Sequence, residues 1–212
     1  MSETTANGQK RRLAPLWAMI AVFAAPVVAA WFFYFNPQYL PSGRTNLGEL
    51  IEPVVPLPAD LGLRSPEGAE LDRDVLRGKW TLVFLGEGDC GDACAARLGD
   101  LRQIRLALGE SRLNVERLLI LPDSLAPGRA SDLGREFEGM HIALVDAEGG
   151  DYLLDLLGEG SAGLERIYIL DPMGNLMMRY AADAPAKDTL KDMERLLKAS
   201  KNWFKGAQYG HK

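Results

Sequence analysis

The sequence predicts an α/β fold, with a central mixed sheet flanked by helices, behind a single N-terminal transmembrane helix. Short apolar segments of strand length alternate with segments in which leucines recur at helical spacing, as in folds built on parallel strands. One long apolar segment near the N terminus lacks charged residues altogether. With 212 residues, of which 47% are hydrophobic, the chain is long enough for one domain of ordinary size and some additional segments.

The apolar segment covers residues 13–35, and a helix of this length spans about 35 Å, compared with about 30 Å for the hydrocarbon core of a bilayer. Lys10, Arg11 and Arg12 precede it, so the positive-inside rule keeps residues 1–12 in the cytoplasm. A cleaved signal peptide is the alternative, but its apolar region is shorter, and small residues stand where this chain has bulky aromatic ones. We therefore predict an uncleaved single-pass anchor with everything after Phe35 outside the cytoplasm. In a Gram-negative bacterium this is a bacterial inner-membrane anchor with the C-terminal domain in the periplasm.

Residues 36–59 are rich in proline, which disfavours long helices and predicts an extended spacer. The globular domain is predicted to cover residues 60–212. The sequence Asp171-Pro172-Met173-Gly174 is typical of a β-turn, because proline suits its second position. The predicted strands are 79–86, 115–121, 142–146 and the two halves of a hairpin at 166–180, with helices after the first strand, near 131–138, at 152–157 and after the hairpin.

Cys90 and Cys94 are the only cysteines, and they follow the first predicted strand at the start of the first predicted helix. A buried strand that leads into a cysteine pair at a helix start is the layout of a thioredoxin-like fold. Residues four apart on a helix share a face, and their Cα atoms are close enough for a disulfide. We therefore expect the two sulfurs to be neighbours at an accessible tip of the domain, able to alternate between bonded and free forms.

Redox chemistry is the function that this pair favours. A purely structural disulfide that closes so short a loop contributes only about 2 kcal/mol through chain entropy. A thiol at a helix N terminus, by contrast, has a lowered pKa, so Cys90 is the expected attacking thiol and Cys94 the resolving one. Glu87, Asp89 and Asp92 oppose this effect, because like charge disfavours the thiolate.

Binding of Cu(I) by the same two sulfurs is the second functional hypothesis, since soft thiolates suit this ion. His141, at the entrance to a strand, is the candidate third ligand, although a single histidine in such a place is more often structural. No resident cofactor is otherwise expected. The chain has 24 Lys and Arg against 29 Asp and Glu and lacks a long basic cluster, which excludes nucleic acid as an expected partner.

The segment around the cysteines resembles the Sco/SenC family of cytochrome c oxidase assembly proteins. In that family a Gly-Lys pair, an apolar strand and a glycine lead into Cys-Pro-Asp-Val-Cys-Pro. Further on, IYILDPMGNL resembles the family's strand and Asp-Pro-x-Gly turn. The matching positions at the first segment are Gly78, Lys79, Trp80, Leu82, Val83, Phe84, Gly86, Cys90, Asp92 and Cys94.

The chain departs from that family at its metal site. The family's copper-binding histidine comes eight residues before the aspartate of the turn, and Gly163 stands at that position here. Gly91 and Ala95 replace the two prolines of the motif, and no proline occurs at residues 163–165, where thioredoxins place one facing the disulfide. The copper site that the resemblance implies is therefore incomplete.

The resemblance implies a setting in oxidase assembly, with a cytochrome c oxidase subunit or another copper or thiol assembly protein as partner. GRTNLGELIEP in the spacer also looks like a segment of small anchored proteins associated with oxidase assembly gene clusters in proteobacteria. Three functions remain open. These are a thiol–disulfide reductase acting in copper-centre assembly, a Cu(I) carrier with an unconventional third ligand, and a non-catalytic assembly factor.

Overall fold

The computed structural model describes residues 6–36, 39, 46–71, 73–126 and 128–207 and divides into two compact units, Met1–Thr45 and Asn46–Lys212. The first unit contains helix α1 (Ala6–Phe35). Within it, Pro15–Phe35 is exposed along its whole length and is the one helix among the described residues that is long and apolar enough to cross a membrane. Pro15 and Pro26 lie inside this helix, where membrane helices tolerate proline.

The second unit is built on one six-stranded sheet with the order β1-β6-β5-β2-β3-β4. β2, β3 and β4 are parallel, whereas β5, β6 and β1 run antiparallel to their neighbours, which confirms the predicted mixed sheet. In chain order the elements are β1 (Glu49–Pro56), β2 (Trp80–Leu85), α2 (Asp92–Ala107), β3 (Val115–Pro122), α3 (Arg129–Glu136), β4 (His141–Val145), α4 (Ala147–Leu156), β5 (Ile167–Leu170), β6 (Asn175–Tyr180) and α5 (Ala186–Ala207).

The sheet separates two apolar cores. On one face α2, α3 and α5 pack against the strands, with Leu98, Leu133 and Met193 fully buried. On the other face, α4 and the segment 57–76 cover the sheet. Because the central strand β2 is buried on both faces, all six of its residues are inaccessible, and this explains its nearly continuous apolar sequence.

The predicted boundary between spacer and domain is wrong. The compact unit begins at Asn46, and Glu49–Pro56 forms the edge strand β1, paired antiparallel with β6. Pro53 and Pro56 suggested an extended spacer, but an edge strand tolerates proline because its outer backbone edge needs no partner. The second half of the expected spacer is therefore part of the sheet.

A buried carboxylate attaches the start of this unit to its last helix. Asp192 of α5 is 2% exposed, and its Oδ2 accepts hydrogen bonds from Leu47 N at 2.7 Å, Gly48 N at 2.8 Å and Tyr180 Oη at 3.1 Å. Burial and the neighbouring Asp192 raise the pKa of Tyr180. A side chain at position 48 would meet the Tyr180 ring at 2.7 Å, so glycine is required there. This contact gives the LGEL sequence of the spacer a structural role.

Replacing Asp192 by Ala removes the acceptor of the Leu47 and Gly48 amides and of the buried Tyr180 hydroxyl, together with the ion pair to Arg195. We expect the free energy of unfolding of the protein to fall by about 3 kcal/mol in chemical denaturation. The control is Glu194→Ala, an exposed position on the same helix, which should stay within about 0.5 kcal/mol of the parent. Equal stabilities for the two variants would contradict the assigned role of Asp192.

Candidate redox site

The candidate site lies where β2 ends and the chain turns into α2. Gly86 continues the ladder, because its N–H donates to the carbonyl of Ile120 at 2.9 Å. A Cβ at this position would meet Leu121 Cδ2 at 2.6 Å and lie 3.5 Å from Cys94 Sγ. Glycine is therefore needed for the loop to pass close to the core and to the cysteines.

Cys90 and Cys94 form a disulfide with a Cα separation of 5.0 Å, so the predicted pairing is confirmed. The predicted position of Cys90 on the helix is wrong. Gly91 is the N-cap of α2, and Cys90 precedes it with φ of +52°, in the left-handed region. That conformation costs a non-glycine residue about 1 kcal/mol, which indicates that the surrounding structure holds the loop in place.

The expected accessibility of the pair is also wrong for the oxidised protein. Cys90 is 0% and Cys94 2% exposed, and both belong to the apolar core beneath α2 and α3. Because Cys90 turns inward instead of extending the helix toward solvent, both sulfurs lie inside the domain. A partner can reach either sulfur only after a local movement.

Arg129, the first residue of α3, holds one side of the cysteine loop. Its Nε donates to the carbonyl of Asp89 at 2.8 Å, and its Nη2 donates to the carbonyl of Cys90 at 2.6 Å. The Asp89 side chain adds a third hydrogen bond, because its Oδ1 accepts from Ala126 N at 2.8 Å. These three hydrogen bonds hold the loop against the first residue of α3 and the segment just before it. Sequence reasoning missed Arg129, since nothing local in the sequence marks it.

Glu165 holds the other side of the loop. Its N–H donates to the carbonyl of Leu85 at 2.7 Å, and its Oε1 accepts from Glu87 N at 2.9 Å. Glu165 has φ of +59°, and it and Cys90 are the two non-glycine residues with positive φ in the described part of the chain. Glu165 lies in the segment 163–165, where thioredoxins have a proline that faces the disulfide. In this chain, the Glu165 carboxylate contacts the cysteine loop from that segment instead.

Acidic residues surround the cysteines on the exposed side. Glu87, Asp89 and Asp92 are all exposed, and Arg129 is the cation that contacts the loop. The backbone N–H groups at the start of α2 lack a side-chain cap, because Gly91 has none to offer. After reduction, the N terminus of α2 would favour a Cys90 thiolate, and Arg129 would remain bound to the Cys90 carbonyl. Burial in the apolar core and the exposed carboxylates would oppose the thiolate.

The described residues do not supply a three-ligand metal site built from His, Cys, Asp or Glu. No group of three or more His, Cys, Asp or Glu side chains suited to a metal ion occurs among them. His141 Nε2 lies 3.7 Å from Glu116 Oε2, and Glu116 pairs with Thr81 near the start of β2, whereas the cysteines follow its end. The structure therefore does not bring His141 to the two sulfurs.

Gly163 also has no room for the histidine that stands there in Sco/SenC proteins. It is buried, and an added Cβ would meet Leu154 Cδ2 at 2.8 Å and Tyr168 Oη at 3.0 Å. The Tyr168 hydroxyl donates to the carbonyl of Gly163 at 2.9 Å, and burial raises the pKa of this tyrosine. Neighbouring side chains thus occupy the space around Gly163, and a copper-binding side chain does not fit at this position.

A family profile described as the transmembrane-like, thioredoxin-like C-terminal domain matches residues 80–200. The chain belongs to this family. The matched range begins with β2 and extends into α5, so it includes the disulfide, Arg129 and Glu165. No curated protein sequence matches the chain.

Several solved structures of Sco proteins share the fold. Copper-bound ScoI of Arabidopsis thaliana aligns with a TM-score of 0.54 at 16% identity, over 65% of this chain and 95% of that one. Copper-bound yeast Sco1 gives 0.53 at 16% identity, over 74% and 95%. Apo Sco1 of Thermus thermophilus gives 0.55 at 17% identity, over 74% and 98%. These likenesses confirm the predicted thioredoxin-like fold.

Removing the guanidinium in Arg129→Ala should make the disulfide easier to reach. Two hydrogen bonds from a charged donor then no longer hold the loop, so we expect dithiothreitol to reduce the disulfide about tenfold faster. The measurement is the appearance of alkylatable thiols with time. Arg135→Ala, an exposed position on the same helix, is the control. Identical rates for both variants would show that Arg129 does not restrict access.

Proposed function

We propose that the chain is a membrane-anchored thiol–disulfide protein whose Cys90–Cys94 pair reduces a disulfide in a partner during assembly of a copper centre of cytochrome c oxidase. The observation that carries the proposal is the disulfide between the only two cysteines, which joins the residue before the N-cap of α2 to its first turn in a thioredoxin-like fold. Residues 13–35 are the proposed anchor, and the domain would act on the periplasmic side of a bacterial inner membrane.

A purely structural role explains the disulfide less well. The bridge closes a loop of five residues, for which the chain-entropy contribution is only about 2 kcal/mol. The left-handed conformation of Cys90 offsets roughly 1 kcal/mol of that gain. The domain already has an apolar core on each face of its sheet. Strained backbone collects at functional sites more often than at structural bridges, and both strained residues, Cys90 and Glu165, adjoin this loop.

The proposed reaction is an exchange between two sulfur pairs. In the reduced protein, the Cys90 thiolate attacks one sulfur of the partner disulfide, and the other partner sulfur leaves as a thiolate. The Cys94 thiolate then attacks Cys90 Sγ, which closes the internal disulfide and releases the second partner thiol. Two electrons pass to the partner, and an upstream dithiol reductant restores the pair. The N terminus of α2 would stabilise the Cys90 thiolate.

Burial of the sulfurs makes local opening part of this proposal. The described hydrogen bonds that close the loop are those that Arg129 and Ala126 donate to it and the one that the Glu165 carboxylate accepts from Glu87 N. Such contacts open locally at a much lower cost than global unfolding. The oxidised form is therefore protected, and reaction with a reductant requires displacement of one side of the loop.

Likeness to Sco proteins supports the setting in oxidase assembly. Copper-bound Sco proteins are among the structures that share the fold, and the sequence around Cys90 resembles that family. A copper-receiving oxidase subunit, whose thiols must be reduced before metal can bind, is a partner with the required chemistry. Another copper or thiol assembly protein is an equivalent target.

A Cu(I) carrier is the alternative function, because the reduced pair would present two soft ligands side by side. The packed Gly163 and the distant His141 weigh against it, since a third ligand would have to come from a partner. Both functions require the cysteines, whereas a non-catalytic assembly factor does not.

Serine substitutions should separate the roles of the two sulfurs. Cys94→Ser removes the resolving thiol, so we expect a covalent complex with the partner that survives non-reducing electrophoresis and is released by dithiothreitol. Cys90→Ser should not form it. Both variants should fail to restore function in a deletion strain. Full complementation by both would contradict the thiol–disulfide and copper functions together.

Copper retention distinguishes the carrier from the reductase. We expect the fully reduced full-length chain in detergent to lose Cu(I) to a competing high-affinity chelator, because no His, Asp or Glu among the described residues joins the two cysteines as a third ligand. The measurement is the fraction of copper that stays with the protein after gel filtration. One Cu(I) retained per chain, and lost in Cys90→Ser, would instead favour the carrier.

A further inference from the structure

An apolar cavity of about 170 Å³ opens beside the cysteine loop, on the α4 face of the sheet. Its floor is formed by residues at the carboxyl ends of the three parallel strands, Leu85, Ile120 and Val145, together with Leu153 of α4. Gly86 also lines it, and an added Cβ there would lie 3.5 Å from Cys94 Sγ. A single backbone segment therefore separates the cavity from the disulfide.

The cavity is open because Gly150, a position of α4 that lines it, has no side chain. Gly149 and Gly150 are adjacent in the first half of α4, where glycine weakens a helix relative to alanine. Gly149 is required, since a Cβ would meet Leu61 O at 2.8 Å. Gly150 is not required by packing, because its Cβ would only touch Val145 Cγ1 at 3.7 Å. Gly150 lines the cavity, and a large side chain there would fill it.

Carboxylates surround the mouth of this cavity. Glu87, Asp146 and Asp151 line it and are exposed, and none of them forms a salt bridge with another residue that the structure describes. The Glu165 carboxylate adjoins them, because it accepts from Glu87 N. An apolar floor inside an acidic rim is complementary to a large apolar side chain with a cationic neighbour.

We infer that this cavity is the docking site for the redox partner, and that its occupant is a large apolar side chain, next to Lys or Arg, in an extended segment close to the partner's disulfide. The volume suits one such side chain, because engineered apolar cavities of about 150 Å³ bind benzene. Docking there places the partner against Gly86 and Glu87, and so beside the loop that must open. This inference rests on the proposed function and adds the recognition chemistry to it.

Three disulfide-cyclised peptides test the inference with the full-length reduced protein in detergent. They differ only in the two residues beside the disulfide, which are Phe-Arg, Ala-Arg or Phe-Glu. We expect Phe-Arg to be reduced about tenfold faster than either of the others, as burial of one large apolar side chain and charge complementarity predict. Gly150→Leu should remove the advantage of Phe, and Asp151→Lys should remove the advantage of Arg.

Gly150→Ala is the matched control. Like Gly150→Leu, it replaces a helix glycine by a better helix former, but its methyl group is too small to fill the cavity. Its peptide preference should therefore equal that of the parent. Reduction of bis(2-hydroxyethyl) disulfide, which has no large apolar side chain and no charge to dock, should be equal in all variants. Equal rates for the three peptides, or a Phe preference that survives in Gly150→Leu, would overturn the inference.

A non-reactive version of the Phe-Arg peptide, with both cysteines replaced by serine, separates docking from chemistry. Fluorescence anisotropy should show binding to the parent and to Gly150→Ala, and about tenfold weaker binding to Gly150→Leu. If that pattern is found but no cyclised peptide is reduced, the docking site stands and the proposed redox function fails. Binding that does not respond to Gly150→Leu would overturn the docking site itself.

Discussion

The loop between β2 and α2 is held from two sides, and the state of the disulfide depends on this restraint. Arg129 binds the carbonyls of Asp89 and Cys90 from the α3 side, and Glu165 binds the backbone of Leu85 and Glu87 from the β5 side. Together they keep Cys90 in a left-handed conformation that turns its side chain into the core. The contacts that position the two cysteines therefore also keep their sulfurs buried.

The cysteine loop lacks the neighbouring histidine that the Sco/SenC resemblance leads us to expect. Where the sequence resemblance places a copper-binding histidine, Gly163 is packed against Leu154 and Tyr168. The neighbouring Glu165 contacts the cysteine loop instead. Within the described residues, the chemistry that remains at this end of the sheet is that of the sulfur pair and its acidic surroundings. Because the cysteine pair is present without that histidine, we propose redox exchange rather than metal transfer as its function.

Local sequence patterns predicted the parts of the fold that depend on local interactions. β2 was recognisable because burial on both faces makes its sequence almost entirely apolar. The turn before β6 was recognisable because Pro172 suits the second position of a β-turn. In the structure, Asp171 accepts hydrogen bonds from Met173 N and Asn175 N, as aspartate does in such turns. β1 was missed, because its pairing with β6 lies more than a hundred residues away and its prolines suggested a spacer.

The sequence predicted the disulfide of the candidate site, but it did not predict that both cysteines are buried. Two cysteines four residues apart indicated a disulfide, and that is present. Their burial could not be predicted, because it follows from the positive φ of Cys90 and from tertiary contacts made by Arg129 and Glu165, which lie far along the chain. The acidic rim around Glu87 was visible in the sequence only in part, because Asp146 and Asp151 join it through the parallel order of the strands.

The central claim is that a buried disulfide is nevertheless redox-active in the folded protein, and a redox titration tests it most directly. The full-length protein is equilibrated in thiol–disulfide buffers of defined potential, and alkylation of Cys90 and Cys94 is read alongside circular dichroism. We predict a reversible two-electron transition above about −300 mV, with the fold unchanged in both states, since structural disulfides have lower potentials. A disulfide that resists these buffers, or that is reduced only as the domain unfolds, would contradict the claim.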